Sequence, residues 1–261
     1  MSLTRKETSS GIFFLDVERD TKLAREFDET GSHQGEDVRM LSQFVTPEKA
    51  IIDVGAHIGT ISIPLSRLAK KVYAFEPNGS SFGMLERNIA ENKATNIVAR
   101  RCALGASERE GHVAEAKHLG GSTISTGGSG DRIEIHTLDT LVTEPVSLIK
   151  IDVEGMEIEV LEGARRIIAE SRPVVFFEVN LRGLRHHKTG RRTLDRFFKQ
   201  KAYRLFKRTP TGIAEIFSTS QGNFFDCLAV PKEKVTFEHT RAFPFFMRQI
   251  GKKFLSFLRK S

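Results

Sequence analysis

Cysteine is scarce: Cys102 and Cys227 are the only two in 261 residues, far apart and outside any Cys-x-x-Cys or Cys/His spacing. A disulfide framework and a zinc finger are thereby excluded. No run of about 18 apolar residues occurs, and the opening stretch Met1 to Glu7 lacks the apolar centre of a secretory signal. The expectation is a soluble, cytoplasmic chain with reduced thiols. Internal repeats and long low-complexity tracts are also missing. What remains is an ordinary globular composition, 39% hydrophobic and 28% charged, sufficient to bury a core without staples.

The net charge of +7 is unevenly spread. Leu181 to Arg208 holds eleven Lys/Arg against Asp195 alone, and residues 232–261 hold eight against Glu233 and Glu238, leaving an acidic body. Such asymmetry fits an anionic partner on one face, whether phosphate, lipid headgroup or nucleic acid, and equally fits a solvated basic surface. From Arg241 to Ser261, phenylalanines, leucines and other apolar residues interleave with six basic ones. That is the composition of an amphipathic helix lying at a membrane interface or docked on its own domain.

From residue 50, apolar strands at 50–54, 72–75, 96–102, 146–151, 173–179, 203–206 and 225–230 alternate with helical patterns over 60–70, from Asn78 or Ser80 through Ile89, over 158–168 and over 194–200. A hairpin is inserted at 112–116 and 132–136. This predicts an α/β fold, a doubly wound, mostly parallel seven-stranded sheet with helices on both faces. Three regions are expected: residues 1–45 as an N-terminal cap or partly ordered segment with one helix at 38–45, a main domain at 46–231, and a basic amphipathic tail at 232–261.

Asp53-Val54-Gly55-Ala56-His57-Ile58-Gly59 stands where the first of these strands turns into a helix, the position at which such sheets bind ligands. Gly55 and Gly59 would let a ligand approach the backbone. His57 occupies the place of the middle glycine of a dinucleotide fingerprint, so the ligand should lack a pyrophosphate. Glu76 ends the next strand, where a carboxylate can accept hydrogen bonds from ribose hydroxyls. An adenosyl group carried on something other than phosphate, as in S-adenosylmethionine, fits both features; so does a tight turn beside a solvated glutamate.

The block Lys150-Ile151-Asp152-Val153-Glu154-Gly155-Met156-Glu157 puts four ionisable groups around a strand's carboxyl end. Together with the Asp53 to Gly59 loop, Phe75-Glu76-Pro77, Thr137-Leu138-Asp139-Thr140-Leu141 and Phe176-Phe177-Glu178-Val179, it resembles the FkbM family of S-adenosylmethionine-dependent methyltransferases. The resemblance covers roughly residues 36–180. It implies a class I, Rossmann-like methyltransferase sheet with cofactor contacts at Asp53, Gly55, Ala56, His57, Gly59, Glu76, Pro77, Ala103 and Asp152.

Methyl transfer needs an oxygen nucleophile positioned about 3 Å from the methyl and a group to take its proton. Glu154 is the first candidate for that base, with Asp152 as the alternative. Lys150 could pair with Asp152 or Glu178 and keep one of them ionised, or serve as a structural ion pair. Glu178, Asn180 and His186 are candidates for the acceptor pocket. Glu157, Glu159 and Glu162 read as solvated helix positions. The acids at 152 and 154 could also bind Mg2+, though their spacing does not require it.

The expected acceptor is a hydroxyl of a saccharide, glycolipid or natural product, with the basic C-terminal segments holding either an anionic part of the acceptor or an anionic membrane surface at its inner face. Two other readings stand beside it: an RNA methyltransferase using the basic segment and its interleaved aromatics, and a non-catalytic membrane- or partner-binding module that kept the fold.

Overall fold

The computed structural model describes residues 3–31, 33–114, 123–125, 130–187, 189–209, 212–219 and 224–235. The chain opens with a hairpin, β1 (Leu3–Thr8) and β2 (Gly11–Asp16), followed by α1 (Thr21–Thr30) and α2 (Gly35–Leu41). Alternation then begins with β3 (Ala50–Val54), α3 (Ser62–Ser66), β4 (Lys71–Phe75), α4 (Gly79–Glu91) and β5 (Ile97–Arg100). Short strands β6 (Ala103–Leu104), β7 (Arg109–Ala114), β8 (Thr123–Ser125) and β9 (Asp131–His136) lead to α5 (Leu138–Leu141) and β10 (Val146–Ile151). The rest comprises α6 (Glu157–Glu162), α7 (Arg165–Ser171), β11 (Val174–Asn180), α8 (Leu181–His186), α9 (Arg191–Gln200), β12 (Tyr203–Thr209), β13 (Gly212–Ile216) and β14 (Phe224–Pro231).

The main sheet has the order β13-β12-β14-β11-β10-β3-β4-β5. Strands β5, β4, β3, β10 and β11 are mutually parallel, and β14 is antiparallel to both β11 and β12. It follows that β12 runs with the central strands, and only β13 and β14 oppose them. The doubly wound, mostly parallel sheet is therefore present, with eight strands in place of the expected seven. The added strand is β13, the hairpin partner of β12; its Gly-Ile-Ala-Glu-Ile sequence is too short to carry a period that separates it from a loop.

Alternation along the strands feeds two cores. Ile52, Val54, Ile149, Ile151 and Phe177 pack with residues of α6, α7 and α9 on one face, while Ile51, Leu148, Val72 and Phe176 pack with residues of α1 to α4 on the other. A second sheet of order β6-β9-β7-β8 extends the expected hairpin at both edges. Its apolar side, with Ile124, Ile133 and Ile135, rests on Met156 just after β10.

Two helices are shorter than their periodicity suggests. The helix expected over 60–70 contracts to α3, where Pro64 sits in the third position and supplies no amide donor. The pattern over 158–168 splits at Gly163, which caps the first helix and must be glycine, because the Gly105 carbonyl oxygen lies only 2.1 Å from where a Cβ of residue 163 would stand. No helix among the described residues is long and apolar enough to cross a membrane. The expected tail lies outside the described residues beyond Val235.

The first 45 residues hold more structure than one helix. The free edge of β2 is paired by side chains of α4: Phe14 N–H donates to Asn88 Oδ1 (2.7 Å) while Asn88 Nδ2 donates to Phe14 O (3.2 Å), and Asn92 repeats both bonds with Ile12 at 2.9 and 2.6 Å. Each amide thus stands in for a neighbouring strand's peptide group. Asn88 is fully buried and also donates to Ile58 O. Replacing Asn88 with alanine orphans three backbone groups in the core, and is expected to cost about 2–3 kcal/mol, read as a lower denaturant midpoint at unchanged m-value.

Candidate active site

The order of the sheet brings the carboxyl ends of β3, β4, β10 and β11 around one cleft of about 990 Å³. At its centre β3 gives way to Gly55, with φ +75°. A side chain there is forbidden from within, since a Cβ would fall 2.0 Å from the Asp152 carbonyl oxygen. Gly59 is required for packing: a Cβ would meet Leu85 of α4 at 2.8 Å. Neither glycine is explained by room for a ligand, and Asp53 and Gly59 do not line the cleft.

The loop's amides are already in use. Gly55 N–H and Ala56 N–H donate to Phe75 O at 2.9 and 3.0 Å, and His57 N–H donates to Glu76 Oε2 at 2.8 Å. Glu76 Oε1 accepts the Asn78 amide at 2.8 Å. Burial nevertheless pushes the Glu76 carboxyl up to about 7. Pro77 and Ala103 stand in the wall beside it.

Lys150 is 4% exposed and pairs in register with Asp53 on the adjacent strand. Its ammonium donates to Gly55 O at 2.6 Å and lies 3.1 Å from Asp53 Oδ1 and 3.8 Å from Asp152 Oδ2. Ser62 donates to the other oxygen of Asp53 at 2.6 Å. The expected pairing with Asp152 is thus the longer one, Asp53 is the principal partner, and no contact with Glu178 is present. Burial pulls the lysine's pKa down, but the charges of Asp53 and Asp152 outweigh it, so the group is raised and stays protonated.

Carboxylates crowd the far side. Glu154, at φ +52°, accepts a hydrogen bond from Asn180 Nδ2 at 3.0 Å; burial first, then the Asp152 charge, raises its pKa. Glu178 faces Asp226 across the β11–β14 ladder. Burial, and after it the charges of Asp152 and Glu154, push Glu178 up to about 8, and its Oε2 is buried without a partner. Glu157 corrects the reading of a solvated helix position: it is fully buried, accepts the Gly155 amide at 3.0 Å, and burial lifts it to about 7. The loop itself is held by backbone packing, because Gly155 and Gly183 approach too closely for a Cβ on either.

The roof comes from the N-terminal segment, which the sequence reading left out of the site. Asp20 caps α1 by accepting the Leu23 amide, and its other oxygen lies 3.3 Å from His57 Nε2 without hydrogen-bond alignment. Burial depresses His57 to about 3, leaving it neutral. Its contribution at this position is thus a backbone amide in a left-handed turn. Lys22, Arg25 and Arg39 line the rim. Buried Asp37 pairs with Arg208, which also reaches Glu36 at 2.9 Å and Asp226 at 3.6 Å, tying α2 to β12 and β14. Only the Asp20-Thr21 cap left a sequence signal; Asp37 and Asp226 left none.

His186 is not brought to the cleft. It is exposed on α8 with its ring against His187. The magnesium expectation finds no support, since no cluster of three His, Cys, Asp or Glu side chains suited to a metal occurs among the described residues.

Comparison with known proteins adds sequence kinship to this geometry. The family model described as the methyltransferase FkbM domain matches residues 53–205. The hexuronic acid methyltransferase AglP of Haloferax volcanii is 34% identical over 136 residues, 48% of this chain and 54% of that protein. The match therefore spans about half the length of that curated relative. Among solved structures, Trm5b of Pyrococcus abyssi is similar at a TM-score of 0.50 with 14% identity, over 88% of this chain and 55% of that one. An FkbM methyltransferase from Methylobacillus flagellatus gives 0.47 with 21% identity, over 70% and 43%.

Carboxyls raised by burial hold protons in the folded state that the unfolded chain has already released. Their stabilising contribution is present below the usual carboxylate range and disappears as pH rises through the folded values, about 7 to 8 here. Glu178→Gln should therefore gain thermal stability relative to the parent as pH goes from 6 towards 9. Melting curves across that window check it, and an advantage that is flat or shrinks with pH contradicts the assignment.

Proposed function

The chain belongs to the FkbM methyltransferase family, and from that premise we propose that it transfers a methyl group from S-adenosylmethionine to a hydroxyl of a saccharide, glycolipid or related natural-product acceptor. The observation that carries the cofactor assignment is the pairing of an amide-poor loop with an acidic floor. With Gly55, Ala56 and His57 amides engaged by β4 and Glu76, a phosphate finds no cradle. With Glu76, Asp152, Glu154 and Glu178 lining the cleft, a nucleoside ligand bearing positive charge is favoured, and the unpartnered Glu178 oxygen awaits a donor or a cation.

Glu76 keeps lone pairs free beyond its two backbone bonds and would accept the ribose hydroxyls. Asp152, half-exposed beside Lys150, would hold the cofactor's ammonium, with Pro77 and Ala103 as walls. When bound, S-adenosylmethionine supplies an electrophilic methyl for in-line displacement. Glu154 then serves as base: its raised pKa makes it a better proton acceptor than an exposed glutamate, and Asn180 fixes its carboxylate. Lys150 holds the β3 turn and takes no proton, since it is already charged.

Two observations support a sugar acid as acceptor. The relative from Haloferax volcanii is described as acting on hexuronic acid, and the N-terminal rim carries Lys22, Arg25 and Arg39 among acids of which Glu26 is bonded to His33 and Glu36 and Asp37 to Arg208, so Lys22 and Arg25 can meet a carboxylate on the acceptor side.

Calorimetry with S-adenosylmethionine and S-adenosylhomocysteine tests the cofactor assignment, and absence of binding to the intact chain overturns it. Glu76→Ala should abolish that binding. Glu154→Gln should retain it while lowering turnover on an active glycan acceptor by ~10²–10⁴-fold; turnover equal to the parent removes Glu154 from its role.

A further inference from the structure

Among the described residues, the basic segment 181–208 lines the cleft only through Arg208. Five of its other cations lie on the solvent sides of α8 and α9. Helix α9 buries Leu194, Phe197 and Phe198 and turns Arg192, Arg196 and Lys199 to solvent, while α8 exposes Arg182 and Arg185. None of these five has a carboxylate partner among the described residues. Asp195, the one acid of the segment, is occupied: it accepts Ser218 Oγ–H at 2.6 Å and the Thr219 amide at 2.8 Å. Thr219 is fully buried and also donates to Arg191 O.

Those bonds pin the corner after β13 onto the first turns of α9, between Arg192 and Arg196. The next residue back in that corner, Phe217, is 95% exposed. With Ser218 and Thr219 held in this way, the backbone of the corner directs the Phe217 ring outward rather than onto the core. A second phenylalanine, Phe224, is 64% exposed at the lip of the cleft, in register with Asn180 at the start of α8. Unpaired cations flanking projecting apolar side chains are the composition of a face that rests on an anionic bilayer, cations among the headgroups and ring beneath them. Single-stranded RNA would instead require aromatic rings lining a basic groove, where bases can stack, and a ring this exposed lines nothing.

We propose that the α8–α9 face, with Phe217 at its tip, docks this chain on the surface of an anionic phospholipid membrane. Phe224 then brings the cleft mouth towards the same plane, so that a saccharide carried on a lipid meets Glu154 without leaving the bilayer. This last extension rests on the methyl-transfer reading; the docking does not.

The chain contains no tryptophan, so Phe217→Trp introduces a single tryptophan at the proposed contact, excited selectively beyond the absorption of the two tyrosines. The full chain carrying it is mixed, without cofactor or acceptor, with vesicles of phosphatidylcholine alone or with added phosphatidylglycerol. The expected result is a blue shift and protection from acrylamide on the anionic vesicles only. Adding Arg192→Glu and Arg196→Glu should weaken partition by about tenfold or more, with the folded state verified by circular dichroism. Attachment with the tryptophan still at its solvent wavelength would mean that another segment binds, and overturns the proposal. So does the absence of attachment, or a shift given by a single-stranded RNA oligonucleotide and not by vesicles.

Discussion

A single buried ammonium holds the centre of the cleft together. Lys150 reaches from β10 to the Gly55 carbonyl and to Asp53, closing the turn at the end of β3 from below. Removing its charge would leave Asp53 and the carbonyl facing a dry interior, where an uncompensated carboxylate is costly. The same charge also partly offsets the acids above it: it lowers the pKa of Glu76, and it lies 3.8 Å from Asp152. The turn geometry, the spacing of β3 from β10 and the electrostatics of the cleft floor therefore share one origin.

That floor is frustrated by design of its neighbours. Burial first, and then the Asp152 charge, raises the proton affinity of Glu154, Glu157 and Glu178, and no described residue gives Glu178 Oε2 a partner. Native interiors tolerate such crowding chiefly where a ligand completes the set. The rim contributed by the N-terminal segment is mixed in sign, with Lys22, Arg25 and Arg39 interleaved with Asp20, Glu26, Glu36 and Asp37. A ligand spanning floor and rim thus meets carboxyls alone at one end and both signs of charge at the other.

Much of the fold could be read from the chain because β3, β4, β10 and β11 are largely buried and so appear as predominantly apolar runs, interrupted by Asp53, Lys150 and Glu178 and bounded by Gly55, Pro77, Asp152 and Asn180. Asn78 was visible as a cap by residue type and position, and it accepts the Ser81 amide. The partner of Lys150 was hidden, because register between strands nearly a hundred residues apart leaves no local mark. Glu157 looked like a surface residue because helical period reports the direction a side chain starts in, whereas this one folds back onto the Gly155 amide. The roof was missed for a related reason: β2 supplies one short apolar stretch, Ile12 to Leu15, and its pairing partner is a pair of asparagines on a helix rather than another strand.

Those asparagines set two rulers side by side. Successive turns of α4 separate Asn88 and Asn92 by about 6 Å, while the two residues of β2 that they grip repeat at about 6.8 Å. The mismatch is small over one interval and would accumulate over a second or third. A helix can therefore imitate a strand edge for two rungs and no more, and the hairpin's contact with α4 ends where the two periods drift apart. Because the next segment of chain, from Asp16 to α1, leaves directly from that clamp, the height of the cleft's roof is fixed by commensurability between a helical and an extended repeat.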